Sequence, residues 1–473
     1  MEEFMKNNIA VIGLSVMGKN LALNIADKGY KVSVFNRTTS VMEEMIKNFP
    51  HQNIQGKKTL KELVESLEKP RKIIIMVKAG GAVDSVINQL LEFVKKDDII
   101  IDGGNSFFKD SERRYKTLKE KNINFFGVGI SGGEEGARKG PAIMPGGDKE
   151  AYNEIKKILE DISAKVNGNP CINYTSTGGA GHYVKMVHNG IEYGDMEIIA
   201  ESYYILKNIG GFTNQQISDI FAKFNKGKLK SYLIDITSKI LKVKDPDADG
   251  YLIDKILDKS GQKGTGKWTT IQGADLGSCI SVISSALNAR YMSSIKDTRI
   301  LAEKEFKKNE YQKFADREKL ITMVENSLYT AKIISYAQGF SLLRQAEKEY
   351  SWTFNYADIA KIFRGGCIIQ AKFLQNIIEA YQNNPKLENL VFDTFFKEEI
   401  KKNIDSLREL TLLAIKNELP IMTFTSALSY FDTLKTARLS ANMIQAQRDY
   451  FGAHTFNRID KQGVFHYDWL KNN

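Results

Sequence analysis

A row of polar side chains interrupts an otherwise apolar segment that has helical spacing. Lys185, Asn189 and Glu192 follow one another at i, i+4 and i+7, and His188 lies beside them. At about 100° per residue these positions fall in one narrow stripe of a helix. The lysine and the glutamate are two turns apart, roughly 10 Å along the axis, which is too far for a tight ion pair. An amine and a carboxylate at that separation could flank a small substrate, although an exposed helix edge with ordinary charges would show the same pattern.

A glycine-rich turn near the start of the chain could bind a dinucleotide. It follows an apolar run, opens a helix-like segment and forms an imperfect G-x-G-x-x-G with Ser15 in the middle. The first glycine permits the tight turn, the last lets helix and strand pack closely, and serine is small enough for the backbone to approach a pyrophosphate. The turn comprises Gly13, Leu14, Ser15, Val16, Met17 and Gly18. A plain glycine turn is the alternative.

The next apolar run ends in Asn36, Arg37 and Thr38, where a NAD-binding domain usually has an acidic residue for the ribose 2′-hydroxyl. A guanidinium can instead hold the 2′-phosphate of NADP through charge-assisted hydrogen bonds worth about 1.5–3 kcal/mol each. Asn36 and Thr38 can donate beside it. The segment therefore predicts NADP as the cofactor, with a solvated surface arginine as the alternative.

The elements that must position these residues change character along the chain. Up to residue 178, apolar runs typical of buried parallel strands alternate with helix-like segments, which predicts a doubly wound α/β, Rossmann-like domain over residues 1–178. Residues 179–436 have helical periodicity and predict a large all-helical domain, which should meet the cofactor cleft and bind substrate. Residues 437–473 read as a C-terminal helix and an aromatic tail, which stays disordered unless something holds it.

The helical part contains an internal repeat near 185–227 and 322–366. The pattern M-V-x-N occurs at Met186 and again at Met323, an offset of 137 residues, and D-I-x-x-x-F-x-x-G also occurs twice. The apolar positions of the two copies match at the same offset, but the second copy has Thr322 and Tyr329 where the first has Lys185 and Glu192. This asymmetry indicates that the first copy carries the function.

Composition narrows the class of protein. The net charge of +10 is spread over interleaved lysines and acidic residues without a basic arm, so anionic small molecules explain it and nucleic acid is not expected as a partner. No apolar run reaches the length of a membrane helix, and the polar start argues against a secretory signal. The three cysteines are widely spaced, so neither a disulfide framework nor a metal site is expected, and the location expected is cytoplasmic.

Two motifs imitate known sites. The stretch GQKGTGKW at 261–268 matches a P-loop until Trp268, where a serine or threonine should ligate magnesium. The acidic run at 245–250 opens like an EF-hand loop, but its twelfth position is Ile256 and cannot supply the bidentate carboxylate. Nucleotide hydrolysis and calcium binding are therefore not expected.

Several long stretches resemble the decarboxylating 6-phosphogluconate dehydrogenases. The resemblance covers almost the whole chain, in GLSVMG, NRT, VKAG, DGGNS, GISGGEEGA, KMVHNGIEYGDM, GQKGTGKW and QAQRDYFGAHTF. It implies a homodimer that oxidises 6-phosphogluconate with NADP to ribulose 5-phosphate and CO2. The family often has alanine where this chain has Ser15, which is a small change.

The resemblance also implies roles. Lys185 would be the general base for the C3 hydroxyl, and Glu192 would protonate C1 of the enediol. Cofactor contacts would come from the glycine turn, the Asn36–Thr38 segment, Val77, Lys78, Ala79 and Asn105. Substrate contacts would come from Asn105, Ser131, Gly132, Gly133, His188, Asn189, Tyr193, Lys263, Thr265 and Arg290, and, from the partner subunit's tail, Arg448 and His454.

Two rival readings remain. A shorter type of β-hydroxyacid dehydrogenase would use the same helix on an unphosphorylated acid, but it would have no use for the three cations Lys263, Arg290 and Arg448. A non-catalytic NADP-binding protein would be expected to lack Lys185 or Glu192, and this chain has both.

Overall fold

The computed structural model describes residues 6–262, 264–307 and 309–471. Its first part is built on one seven-stranded sheet with the strand order β3-β2-β1-β4-β5-β6-β7. The strands are β1 (Ile9–Ile12), β2 (Val32–Phe35), β3 (Ile54–Gly56), β4 (Lys72–Ile75), β5 (Ile99–Asp102), β6 (Asn124–Ser131) and β7 (Ala142–Gly147). β1 to β6 pair in parallel, and β7 pairs antiparallel to β6.

Helices cover both faces of this sheet, which explains why its central strands are continuous apolar runs. Each helix in this part follows a strand, as the alternating sequence predicts, and the last helix is followed by a small hairpin. The elements are α1 (Val16–Asp27), α2 (Thr39–Asn48), α3 (Leu60–Glu65), α4 (Gly81–Leu90), α5 (Phe108–Lys119), α6 (Gly133–Lys139), α7 (Tyr152–Ile162), β8 (Lys165–Val166) and β9 (Asn169–Pro170). The doubly wound, Rossmann-like prediction is confirmed.

The seventh strand was not predicted from sequence. Its residues AIMPGG contain a proline and two glycines, which read as a turn. The glycines are required by packing, because a Cβ on Gly146 would lie 2.3 Å from the backbone nitrogen of Gly181. The proline is tolerated because β7 is the edge strand.

The rest of the described chain is almost entirely helical, which confirms the predicted helical domain. Its two longest helices, of 29 and 33 residues, pack against each other in the core. The helices are α8 (Ala180–Asn208), α9 (Asn214–Phe224), α10 (Tyr232–Ile240), α11 (Thr265–Asp275), α12 (Ser281–Ser294), α13 (Lys296–Phe306), α14 (Arg317–Glu349), α15 (Tyr356–Ile362), α16 (Leu374–Asn383), α17 (Thr394–Lys416), α18 (Met422–Leu434) and α19 (Ala441–Gly452).

The internal repeat corresponds to two matching sets of helices. α8, α9 and α10 have their counterparts in α14, α15 and α16, and α9 and α15 both begin at a capping side chain, Thr213 and Asn355. The loops that follow the second helix of each set meet, since the backbone nitrogen of Lys372 donates to the oxygen of Lys230 at 2.8 Å. The two sets of helices that carry the predicted repeat thus pack against each other.

Two segments differ from their sequence patterns. Residues 251–260 have helical spacing but contain only the short 3-10 helix Leu252–Asp254. The tail after α19 is not irregular throughout, because β10 (Phe456–Asn457) and β11 (Val464–Phe465) form a small antiparallel hairpin. No helix in the described residues has the length and apolarity needed to cross a membrane.

Candidate active site

The glycine turn between β1 and α1 forms one wall of a cleft at the carboxyl ends of the parallel strands. Gly13 has a φ of +93°, and a Cβ there would lie 2.6 Å from the backbone oxygen of Met76. The amide of Leu14 is held by the side chain of Asn36 at 3.1 Å, which ties the turn to the end of β2. The backbone nitrogens at the start of α1 therefore face the cleft in a fixed geometry suited to a pyrophosphate.

This cleft has a volume of about 500 Å³ and is lined by most of the residues predicted to bind the cofactor. Its walls are Gly13, Leu14, Ser15, Met17, Asn36, Met76, Val77, Lys78, Ala79, Gly103, Gly104, Asn105 and Ile130. Val16 and Gly18 belong to the first turns of α1, the former half exposed and the latter packed against Gly13. The residues after β2 extend the cleft outward: Arg37 and Thr38 are exposed, where a charged phosphate can reach them.

Lys185 lies where the sheet meets α8. Its stem packs against the end of β6 so closely that a Cβ on Gly129 would lie 2.4 Å from the lysine Cβ. Its Nζ donates a hydrogen bond of 3.0 Å to Oγ of Ser131, and the side chain is only 7% exposed. Ser131 directly follows Ile130, which lines the nucleotide cleft. The end of β6 thus joins the cleft to the amine.

A chain of hydrogen bonds continues from Ser131 along α8. The serine Oγ lies 3.4 Å from Nε2 of His188, whose Nδ1 lies 3.0 Å from Oδ1 of Asn189. Asn189 donates to Oγ1 of Thr265 at 2.9 Å, at the first turn of α11. A neutral imidazole that donates from Nδ1 and accepts at Nε2 satisfies every member of this chain. Four of the residues predicted to hold substrate therefore form one network with the lysine.

Burial sets the protonation of this site. Burial lowers the pKa of Lys185, and the negative charge of Glu192 opposes the change. Burial likewise raises the pKa of Glu192, against the positive charges of Lys185 and Arg290. The pKa of His188 lies well below its ordinary value, first because of burial and then because of Lys185. Glu192 stands 3.8 Å from His188, so a lysine prone to lose its proton and a carboxyl prone to keep one flank the histidine.

The predicted phosphate side begins one residue further along α8. The ring of Tyr193 packs under the guanidinium of Arg290, whose carbon is 3.6 Å from the ring centroid. Arg290 also donates to the backbone oxygen of Gly261 at 3.0 Å, which fixes the start of the GQKGTGKW loop. Lys263, in that loop, lies outside the described residues.

The glycines after Ser131 and the tail residues complete the predicted set. Gly132 and Gly133 lie at the start of α6, and the backbone oxygen of Gly366, from the second repeat, is 2.5 Å from the Cβ position of Gly132. Arg448 and His454 are exposed and contact their own tail, the former through a 3.0 Å bond to Gln445 and the latter through the ring of Phe451.

Sequence reasoning missed a buried group behind the cleft. The guanidinium of Arg114 in α5 binds Asp102 and Asp84, next to two of the loops that line the cleft. The acidic partner Asp102 belongs to the DGGNS motif, which is the only signal in the sequence that points to it. The arginine itself lies in a charged helix and looks like a surface residue.

A strand-turn-helix nucleotide cleft that ends at a buried lysine on a helical domain is the arrangement of a nicotinamide-dependent dehydrogenase. Comparison with known proteins gives the family. Residues 8–175 match the NAD binding domain of 6-phosphogluconate dehydrogenase, and residues 181–469 match the C-terminal domain of 6-phosphogluconate dehydrogenase. The chain therefore belongs to the 6-phosphogluconate dehydrogenase family.

Similar proteins extend over the same length. The NADP(+)-dependent, decarboxylating 6-phosphogluconate dehydrogenase of Bacillus subtilis is 52% identical over 98% of this chain and all of its own. The decarboxylating enzyme of Escherichia coli K12 is 52% identical over 98% of this chain and 99% of its own. The Plasmodium falciparum 6-phosphogluconate dehydrogenase, whose structures include its NADP+ and 6-phosphogluconate complexes, superposes with a TM-score of 0.95 at 48% identity, over 98% of this chain and all of its own.

Proposed function

We propose that this chain catalyses the oxidative decarboxylation of 6-phosphogluconate to ribulose 5-phosphate and CO2 with reduction of NADP. One observation carries the proposal. The buried amine of Lys185 is hydrogen-bonded to the Ser131 hydroxyl at the inner end of the nucleotide cleft, and in the described residues it has no carboxylate within ion-pair distance. Burial lowers the pKa of this amine, which favours the neutral form that a general base needs.

Lys185 is the general base in this proposal. It takes the proton of the C3 hydroxyl as a hydride leaves C3, and burial supplies the neutral amine that this step needs. NADP, when bound, supplies the hydride acceptor. The Ser131 hydroxyl orients the amine, and the neutral His188 beside it can hold a substrate hydroxyl without adding a charge.

Glu192 is the acid for the last step. Oxidation at C3 creates a ketone β to the carboxylate, which accepts the electrons released when CO2 leaves, so the carbon skeleton itself promotes decarboxylation. The resulting enediol needs a proton at C1. Burial raises the pKa of Glu192, which keeps a proton available there, and the separation from Lys185 leaves room for substrate between the two.

The remaining contacts follow the geometry of the cleft. The turn from β6 into α6, at Ser131, Gly132 and Gly133, forms a backbone cradle for the substrate carboxylate. Asn105, His188 and Asn189 bind hydroxyls, and Tyr193, Lys263, Thr265 and Arg290 bind the phosphate. A phosphorylated substrate is favoured over the unphosphorylated rival because the guanidinium of Arg290 is held on the Tyr193 ring, next to Glu192 in α8, and is only partly buried.

The direct test is an absorbance assay at 340 nm with the purified chain. NADP and 6-phosphogluconate should give NADPH and CO2 in equal amounts. Gluconate in place of the phosphate ester, and NAD in place of NADP, should each be far poorer. NADPH without CO2 would refute the decarboxylation step, and equal rates with gluconate would favour the unphosphorylated rival.

Arg37 gives a test of the cofactor. Glutamate at this position would repel the 2′-phosphate and remove charge-assisted hydrogen bonds worth about 1.5–3 kcal/mol each, so Arg37→Glu should raise KM for NADP at least about tenfold. The KM for 6-phosphogluconate and the rate with NAD should change little. Equal rises in both KM values would indicate general damage instead.

We also propose a homodimer in which the tail of one subunit completes the site of the other. The tail exposes large apolar side chains that a folded monomer would normally bury, among them Met443 (61%), Ile444 (59%) and Phe451 (72%). α12 and α13 expose a second apolar surface, formed by Tyr291, Met292, Ile295, Ile300, Leu301 and Phe306. Exposed apolar area of this extent is typical of a subunit interface.

The tail is a folded unit that can present side chains to a partner. Asp449 is fully buried and accepts four hydrogen bonds, from the backbone of Thr455 and Tyr467 and from the rings of His466 and Trp469. Burial would raise the pKa of Asp449, but these bonds outweigh it and hold the pKa far below its ordinary value. The carboxylate therefore closes the tail into one loop, with Arg448 and His454 on its outside.

A complementation experiment tests the crossed tail. Arg448→Ala and Lys185→Met should each inactivate their own homodimers. Refolding the two together should restore roughly a quarter of wild-type activity, because half of randomly formed dimers contain one intact site. Arg458→Ala, which removes an exposed arginine paired with Asp460 in the hairpin of the same tail, is the matched control and should stay active. An active Arg448→Ala homodimer, or no recovery on mixing, would contradict the crossed arrangement.

A cytoplasmic location completes the proposal. Cys171 and Cys367 are free and buried, as expected of a protein in a reducing compartment.

A further inference from the structure

We infer that Arg114 is a positioning residue that holds together the two loops forming the inner wall of the cofactor cleft. The first loop follows β4 and contains Val77, Lys78 and Ala79; the second follows β5 and contains Gly103, Gly104 and Asn105. Arg114 itself is 2% exposed and does not line the cleft, so it acts through these loops. The inference rests on the proposed NADP chemistry. Arg114 has no role in that proposed chemistry, and the inference assigns it one.

The guanidinium spans the two loops with every N–H it has. Its Nη2 donates to the backbone oxygen of Gly80, at the end of the first loop, at 3.0 Å. Its Nε and Nη2 bind the carboxylate of Asp84 at 2.8 and 3.2 Å, in the first turn of α4. Its Nη1 binds Asp102 at 3.0 Å and Ser106 at 3.4 Å, on either side of the second loop. Five donors thus meet acceptors that lie at the ends of both loops or in the elements directly beside them.

The acidic partners are themselves fixed. Asp102 accepts from the backbone nitrogen of Gly104 at 3.1 Å and from Ser106 at 2.7 Å, so its carboxylate shapes the second loop directly. The pKa of Asp84 lies below its ordinary value, first because of the hydrogen bond from Arg114. The second loop also touches the catalytic side, since a Cβ on Gly103 would lie 3.1 Å from the side chain of Ile130, the residue before Ser131.

The helix that carries Arg114, α5, is also hydrogen-bonded to α8 and to the residue just before it. Ser111, one turn earlier in α5, lies 2.6 Å from Nδ1 of His182, which is one turn before Lys185. Glu112 accepts from the backbone nitrogen of Gly179, just before α8 begins, at 2.9 Å. α5 therefore connects the loops that position the cofactor to the helix that carries the base. A change in the Arg114 contacts should alter the distance between hydride donor and acceptor.

A lysine tests the role because it keeps the charge but donates from one atom, and cannot reach both loops. Arg114→Lys should raise the dissociation constant for NADP about tenfold and lower kcat, because small misplacements at a reacting centre are costly. The primary deuterium isotope effect on kcat, measured with 6-phosphogluconate deuterated at C3, should rise as hydride transfer becomes slower. Both measurements are made well below the unfolding temperature, on the folded dimer.

Arg113→Gln is the matched control. Arg113 is adjacent, its side chain is 54% exposed, and it binds Asp84 and Asp110 without touching either loop. It should leave the dissociation constant and the isotope effect at wild-type values. If Arg114→Lys fails to fold, Asp84→Asn serves instead, because it weakens the link to the first loop and should shift both quantities in the same direction by a smaller factor.

The outcomes are distinguishable. A wild-type enzyme inactive with NADP and 6-phosphogluconate would refute the proposed function itself. An active wild type together with an Arg114→Lys variant that only unfolds earlier, with unchanged NADP affinity and isotope effect, would overturn the positioning role. Equal changes in Arg113→Gln would also overturn it, since an arginine that contacts neither loop would then matter as much as the one that bridges them.

Discussion

Two lysines are buried on the two longest helices, and their surroundings differ in a way that separates catalysis from structure. Lys185 on α8 is 7% exposed and Lys332 on α14 is fully buried. Lys332 forms an ion pair with Asp195, whereas Lys185 donates to the uncharged hydroxyl of Ser131. Burial lowers the pKa of both amines, and at Lys332 the adjacent Asp195 opposes it directly.

The repeat explains why the second lysine is structural. Asp195 and Lys332 are separated by 137 residues, the repeat offset, so the ion pair joins equivalent positions where the two copies cross. Lys185 has no such counterpart: its equivalent, Thr322, is exposed, and among the described residues its hydroxyl bonds to the backbone oxygen of Glu318 in its own helix. The first copy has Lys185, which has no carboxylate partner among the described residues. The second copy has Lys332, whose ion pair with Asp195 joins α14 to α8.

Lys185→Met should have the largest effect on the reaction. Losing the general base should lower kcat by about 10³–10⁴-fold, while the dissociation constant for NADP stays near wild type, because the amine does not line the nucleotide cleft. The free energy of unfolding should hold or rise, since methionine fills the same space without a buried amine. Steady-state kinetics, cofactor titration and urea denaturation check the three parts. Normal turnover would remove Lys185 from the mechanism.

Lys332→Met should show the opposite pattern. It leaves Asp195 buried without its cation, so the free energy of unfolding should fall by about 3–5 kcal/mol at matched subunit concentration. The remaining folded enzyme should turn over at a near-normal rate. Replacing both partners, in Asp195→Leu with Lys332→Met, should recover most of the stability, because no unpaired charge remains.

One outcome would contradict the assignment of Lys185 to catalysis and of Lys332 to structure. If Lys332→Met kept its denaturation midpoint but lost as much turnover as Lys185→Met, the second lysine would belong to the reaction and the comparison would fail.

Features that depend on neighbouring residues could be predicted from the sequence, whereas features that depend on contacts between distant segments could not. The glycine turn and the position of Arg37 after β2 could be predicted because each rests on a few adjacent residues whose conformational needs are local. β7 could not, because its Gly146 and Pro145 suit a turn in isolation, and only the close approach of α8 shows why a glycine is needed there.

The candidate site also has a part that could be predicted from the sequence and a part that could not. Helical spacing alone placed Lys185 and Glu192 in one stripe, but Ser131 lies 54 residues earlier in the chain, and only the fold brings it to the amine. Arg113 and Arg114 are indistinguishable in sequence. One is a half-exposed surface residue and the other is buried between two loops, because the pitch of α5 turns successive side chains to different faces.

The coupling between Lys185 and Glu192 gives the last prediction, which is seen most clearly in the pH profile. A base is active above its pKa and an acid below its pKa, so the wild-type kcat profile should be bell-shaped. Glu192→Gln removes the acid and also the negative charge that raises the pKa of Lys185. The descending limb should vanish, the ascending limb should move to lower pH, and kcat should fall about 100-fold.

Glu197→Gln is the matched control. Burial also raises the pKa of Glu197, but the charge that opposes this rise is Arg290 rather than Lys185, so the bell shape should persist. A Glu192→Gln profile that keeps both limbs, or whose ascending limb moves to higher pH, would show that the two side chains do not titrate as a coupled acid and base.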